Sequence, residues 1–168
     1  MRTRFFWAAL LVLLVAGSSA AQTNISGTVQ NAKADPAYSI EIGDHPGHAT
    51  VLQKTTCTWT TSMEIAGAKS KDGYDVTTVE MWATRSSSNG THVSTMDNGD
   101  KFFVTFHGAS AVKDGKPGPE QGTWSFTGGT GKLKGLKGKG TYKGTSNEDG
   151  TANVEVKGEY ELPAAKTK

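Results

Sequence analysis

Five Asn-Gly or Asp-Gly pairs, Asp72-Gly73, Asn89-Gly90, Asn98-Gly99, Asp114-Gly115 and Asp149-Gly150, are spread along this chain. They constrain its fold more than any other feature. Both dipeptides favour positive φ, which the tight turns of β-hairpins require. Alternating, β-branched runs lie between them, and helical periodicity is hard to find after the first two dozen residues. The pattern is that of a meandering antiparallel sheet. There are 21 glycines in 168 residues, against roughly 7% in an average protein, with no collagen-like period and no long linker.

The expected strands can be placed coarsely. A short one, ISGTVQ, lies within residues 21–32. Residues 34–47 read as a loop holding YSIEIG. His48–Ile65 is the longest strand-like run. In it Val51, Cys57, Trp59, Met63 and Ile65 share one parity, and Lys54, Thr56, Thr58, Thr60 and Glu64 the other. Period two sends these sets to opposite faces. A run that long must bend, carry a bulge or be two strands. Further strands are expected at Tyr74–Thr84, Thr91–Met96, Lys101–His107, Thr123–Thr127, Gly140–Lys143 and Thr151–Leu162. In the last, Val154, Val156, Tyr160 and Leu162 alternate with polar residues. About eight strands at this spacing suit a sandwich or a barrel. A closed barrel leaves no exposed edges, and with eight strands it is either filled by side chains or holds one small ligand.

The first residues predict a compartment. Arg2 and Arg4 precede an unbroken apolar run at residues 5–16, followed by the small residues GSSAAQT. This is the pattern of a signal peptide, with cleavage after Ala20 or Ala21. The run is shorter than the roughly 20 apolar residues a membrane-spanning helix needs. The expectation is a signal peptide at 1–21, one β-barrel domain at 22–163 and a frayed tail at 164–168. The mature protein is then secreted or periplasmic and has no membrane span. Removing Arg2 and Arg4 turns 18 basic against 16 acidic residues into 16 against 16. A near-neutral chain is a poor nucleic-acid binder, because such binding relies on a positive field. The lone Cys57 excludes an internal disulfide and is expected to be a buried, inert thiol.

The stretch GGTGKLKGLKGKGTYKG, residues 128–144, has the look of a phosphate loop but not its residues. After Gly131-Lys132 the hydroxyl position holds Leu133, and five residues before Gly131 stands Phe126 rather than glycine. Lys132, Lys134, Lys137, Lys139 and Lys143 form a basic run in which Tyr142 is the sole aromatic residue, so there is no stacking platform for bases. Solvated lysines on a turn and an outer strand face are expected.

The same region, GTWSFTGGTGKLKGLKGKGTYKG at residues 122–144, resembles a segment shared by the allene oxide cyclase-like and dirigent-like barrels and by uncharacterised exported bacterial proteins. GDHPGH and HVSTMDNGDKFFV resemble the bacterial branch and match the plant enzymes poorly. The resemblance implies an all-β fold: a single antiparallel eight-stranded β-barrel, calycin-like, often a homo-oligomer, with a ligand cavity along its axis. Known members include a cyclase that folds an unsaturated epoxy fatty acid and proteins that orient radical coupling. No catalytic residue of those enzymes aligns with a position here, so activity does not transfer.

Glu80 is the candidate catalytic residue. It shares parity with Tyr74, Val76 and Trp82, and an inward carboxylate in an apolar cavity suits acid–base work. Val79, Met81 and Ala83 make an equally good core face, which would leave Glu80 in water. Trp59, Trp82, Phe102, Phe106 and Trp124 are core residues that could also line a ligand site. His45 and His48, with His92 or Asp97, meet no zinc spacing rule, so neither metal nor cofactor is expected. Asn24-Ile25-Ser26 and Asn89-Gly90-Thr91 are sequons that matter only in a eukaryotic secretory pathway. Two functions follow. One is a non-catalytic exported barrel binding a small apolar or amphipathic molecule. The other is a cyclase or isomerase that holds a reactive lipid-like or polyketide-like substrate in one conformation. The first needs only a fold and a cavity, and is preferred.

Overall fold

Where the sequence alternates, the chain is extended and hydrogen-bonded into one closed sheet. The structure is a computed structural model that describes residues 22–163. The expected signal peptide and tail lie outside the described residues. The strands are β1 Thr23–Asn31, β2 Ala37–Glu41, β3 Ala49–Thr61, β4 Glu64–Ile65, β5 Ala68–Met81, β6 Arg85–Met96, β7 Lys101–Lys113, β8 Lys116–Pro117, β9 Glu120–Gly129, β10 Lys137–Ser146 and β11 Ala152–Glu161. A short 3-10 turn spans Gly131–Leu133. Eight strands close a ring in the order β3-β1-β11-β10-β9-β7-β6-β5 and back to β3. The expected antiparallel eight-stranded barrel is the observed fold. No helix of the described residues is long and apolar enough to cross a membrane.

Period two governs the walls. On β3, Thr55, Cys57 and Trp59 are buried while Lys54, Thr56 and Thr58 are exposed. The long run at 48–65 is two strands: β3, then β4, with Met63 and Ile65 continuing the buried set. Residues 34–47 hold a strand, β2, inside the expected loop. β1 and β2 follow the same side of β3, with Val29 opposite Trp59 and Ala37 opposite Gln53. Between them the Ala32 N–H donates to the Thr56 carbonyl (2.9 Å) and the Asp35 N–H to that of Lys54 (2.8 Å). β11 accompanies this path only to the pair Asn31–Ala152. Beyond it β2 pairs with β3 alone, and the wall opens into a mouth.

Two of the five glycine pairs are not turns. Asp72-Gly73 and Asn89-Gly90 lie inside β5 and β6. Their glycines serve close approach instead: a Cβ at Gly73 would strike the Val93 carbonyl, and one at Gly90 the Phe106 ring. Asn98-Gly99, Asp114-Gly115 and Asp149-Gly150 do join strands, with φ of +84° at Gly99, +71° at Gly115 and +85° at Gly150.

The end opposite the mouth is closed by the opening segment of the glycine-lysine stretch. Leu133 and Leu136 are buried there with Met63, Ile65, Met96 and Phe102. Asp100 accepts the Lys132 N–H (3.1 Å), and Thr130 Oγ1 accepts the Lys101 N–H (2.8 Å). A Cβ on Gly131 would collide with the Asp100 carboxylate. The stretch is thus a floor strap. Its five lysines are exposed, and Lys137, Lys139 and Lys143 lie opposite Glu161, Glu159 and Glu155 on β11.

Candidate functional site

Glycines on the inner wall position the aromatic residues of the interior. A Cβ at Gly27 would fall 2.6 Å from Trp59 Cζ3; at Gly140 and Gly158 it would fall 2.6 Å and 2.5 Å from Trp124 Cζ2. Gly90 clears the Phe106 ring, and Gly108 and Gly122 clear Tyr142. Each ring packs directly onto the backbone of a neighbouring strand, which only a residue without Cβ permits. Stacked this way the rings leave room along the axis. A cavity of about 470 Å³ runs from Trp59, Met63 and Phe102 above the floor to Pro117, Gly150 and Ala152 at the mouth.

Its floor side is aromatic. Trp124 and Phe126 meet edge to face at 4.9 Å between centroids, and Phe102 and Phe126 at 5.4 Å. The Trp59 indole N–H is satisfied by Ser94 Oγ at 2.9 Å. Of the five expected ligand-site aromatics, Trp59, Phe102, Phe106 and Trp124 line this cavity. Trp82 does not. It lies past the end of β5, stacked on His48 at 5.0 Å and 14°, with the Arg85 guanidinium 4.4 Å from the centre of its ring.

Glu80 likewise requires a correction. Thr77, Val79 and Met81 take the inner face of β5, so Glu80 points outward. Its Oε1 lies 3.0 Å from His48 Nε2, while His48 Nδ1 lies 2.5 Å from Asp44. Glu80, then Asp44, raise the His48 pKa above its ordinary value. The His48 hydrogen bond, ahead of that from His45, lowers Asp44 to about 2. This cluster ties the β2–β3 loop to β5 on the outside of the barrel.

The carboxylates that do enter the cavity are Asp75 and Glu120. Sequence reasoning passed over both. Asp75 has the parity of Thr77 and Val79, and the expected strand at 123–127 began too late to include Glu120. Asp75 Oδ1 accepts a hydrogen bond from His92 Nδ1 at 2.7 Å, and Oδ2 accepts from Asn31 Nδ2 and Cys57 Sγ, each at 3.4 Å. Glu120 Oε1 accepts from Ser88 Oγ at 2.6 Å and from the Tyr142 hydroxyl. Burial, then the Glu120 carboxylate, push the Tyr142 hydroxyl well above its usual range, and the Asp75 charge adds to this. Burial, then the Asp75 charge, do the same to the Cys57 thiol.

Ligand atoms of Cys57, Asp75 and His92 lie within 4.8 Å of one another, as do those of Asp44, His45 and His48. The first set fits a metal poorly. A metal takes up the thiolate, whereas this thiol is strongly held in its protonated form and donates to Asp75. The second set is largely exposed, and its shortest contact is the His48–Asp44 hydrogen bond.

No protein-family model matches the chain, and no curated protein does. Solved structures do. A protein of unknown function from the DUF3224 family of Shewanella oneidensis MR-1 is 18% identical with a TM-score of 0.50, covering 86% of this chain and 100% of its own. A pterocarpan synthase dirigent protein is 12% identical with a TM-score of 0.47 over 94% of this chain and 98% of its own. A conserved protein of unknown function from Rhodopseudomonas palustris is 11% identical with a TM-score of 0.46 over 84% and 99%. At such identities the likeness, carried by the Shewanella protein, is one of fold alone.

Proposed function

We propose that this protein is an exported barrel that holds one small amphipathic molecule along its axis. The observation that carries the reading is the cavity of about 470 Å³, lined by aromatic side chains and by the polar groups of Asp75, Ser88, His92, Glu120 and Tyr142, above a closed floor. Ligand sites of small molecules have this size and this division of apolar surface and convergent polar groups. Export rests on the signal-like residues 1–21. The test is native mass spectrometry of protein purified from the exported fraction of its own host, beside a Ser110→Trp variant. Ser110 lies on the cavity wall, hydrogen-bonded to Ser86 at 2.9 Å, and an indole there fills the passage. A small-molecule adduct on the wild type and its loss from the folded variant are expected. A bare wild-type mass, with no uptake of added apolar probes, would sink the reading.

A second reading is favoured by the polar groups themselves. An Asp75-oriented imidazole and a Glu120-bound phenol in one cavity are the equipment of a cyclase or isomerase that holds a reactive substrate in one conformation. Incubating any co-purified compound with wild type and with Tyr142→Phe, and following its conversion by chromatography, separates turnover from storage.

The expected self-association has a candidate surface. Tyr38, Ile40 and Leu52 are 63%, 68% and 50% exposed on the outer face of β2 and β3, and Val76 continues this apolar strip on β5.

A further inference from the structure

Among the described residues, the interior of the barrel carries the carboxylates of Asp75 and Glu120 and no lysine or arginine side chain. Lys33, beside Gly150 at the rim, is exposed. The groups that bond these carboxylates are a hydroxyl and a phenol on Glu120, and a carboxamide, a thiol and an imidazole nitrogen on Asp75. Two buried polar atoms have no partner, Asn31 Oδ1 and His92 Nε2. Both belong to residues of the cavity wall, and His92 is 9% exposed. Asn31 has committed its amide N–H to the acceptor-only Asp75. His92 Nδ1 bonds the same carboxylate at 2.7 Å, and Nε2 faces no protein partner.

The fixed charge of this cavity therefore has one sign, that of the Asp75 and Glu120 carboxylates. A carboxylate removed from water without a counter-cation is costly, and so is an acceptor without a donor. An alkylammonium group supplies a positive charge and three N–H donors on one atom. Its apolar body would find the aromatic floor, whose ring faces also attract cations. A ligand carboxylate meets two like charges instead, and an alcohol brings one donor and no charge.

We propose that the molecule held in the barrel is an amphipathic amine, its ammonium group held at Asp75 and Glu120 and its apolar body on the aromatic floor. This rests on the ligand-binding reading and narrows it. The test compares three probes with one aromatic body: naphthylethylamine, naphthylethanol and naphthylacetic acid, titrated into the wild-type protein at neutral pH by calorimetry. The amine is expected to bind about tenfold or more tightly than the alcohol, as a charge-assisted contact implies, with the acid weakest. Glu120→Gln keeps an oxygen for Ser88 and Tyr142 and should weaken the amine several-fold more than the alcohol, narrowing the gap between them. Asp75→Asn is the second variant should the first not fold, and the three-probe comparison needs neither. Equal or tighter binding of the alcohol or the acid would overturn the amine assignment and leave a ligand-binding barrel standing. Binding of none of the three would remove both. Zinc that binds tightly and excludes the amine would make the acceptor cluster a metal site and also overturn the proposal.

Discussion

A single methyl group is enough to separate the two uses of glycine in this chain. At Gly99, φ is +84° and nothing lies within 4 Å of an added Cβ. Gly99→Ala should therefore cost only the left-handed backbone penalty, about 1 kcal/mol. At Gly140 a Cβ would fall 2.6 Å from Trp124 Cζ2 and closer still to the Lys157 carbonyl, which is fixed in the sheet. Gly140→Ala should cost about 1–3 kcal/mol or more, the usual effect of overpacking. Urea denaturation of the two variants checks this, and equal losses would refute the close-approach role. Cys57 is the other residue-scale test. It is fully buried, and burial keeps its thiol protonated. Ellman's reagent should label it only at the rate of global unfolding, whereas rapid labelling of native protein would place the thiol at an accessible surface.

Between residues and molecule, two elements decide which end of the barrel is closed and how the β2–β3 loop is held. The floor strap after β9 depends on Leu133 and Leu136, 1% and 2% exposed. Leu136→Ala should cost about 2–5 kcal/mol, as large-to-small changes in cores do, with an unchanged denaturant slope. The β2–β3 loop depends on charge. A group whose pKa is raised by folding stabilises fully below its unfolded value and loses that contribution as pH rises through the folded one. For His48, raised by Glu80 and Asp44, the tie is complete below about pH 6.5 and is lost as pH climbs through the raised value. Asp44 is lowered, so its contribution is present above about pH 3.8 and is lost as pH falls through about 2. Backbone amides of residues 42–48 should accordingly exchange faster, relative to the rest of the barrel, once pH passes the His48 titration seen by NMR. Glu80→Gln should shift that titration downward. An unmoved His48 titration in that variant would contradict the pairing.

At the scale of the whole molecule the outer surface is unequal. Tyr38, Ile40, Leu52 and Val76 place exposed apolar side chains on neighbouring strands. If this strip is a contact between copies, sedimentation velocity should show a concentration-dependent oligomer that Ile40→Lys converts to monomer. A wild-type monomer at all concentrations would exclude that role. The same strip explains why Glu80 could not be oriented from sequence. Tyr74 and Val76 on the outer face are as apolar as Val79 and Met81 on the inner one, so alternation alone does not say which set faces the axis.

Much of the architecture was legible residue by residue. Alternation at Cys57-Thr58-Trp59 and along β11 identified strands and faces, because a half-buried extended chain must repeat every two residues. Leu133 at the hydroxyl position excluded a phosphate loop on local chemistry alone. What the linear order does not contain is which distant residues share the axis. Asp72-Gly73 and Asn89-Gly90 are turn-forming dipeptides in isolation, yet the neighbouring strand and the Phe106 ring hold them extended. Asp75 and Glu120 are 45 residues apart in the numbering, and nothing local distinguishes either from a solvated carboxylate, the usual state of that side chain. Only closure of the ring turns both of them inward, beside Asn31, His92 and Tyr142. Local propensity and period determined a β-barrel; long-range pairing, which sets who faces whom across the axis, decided its site.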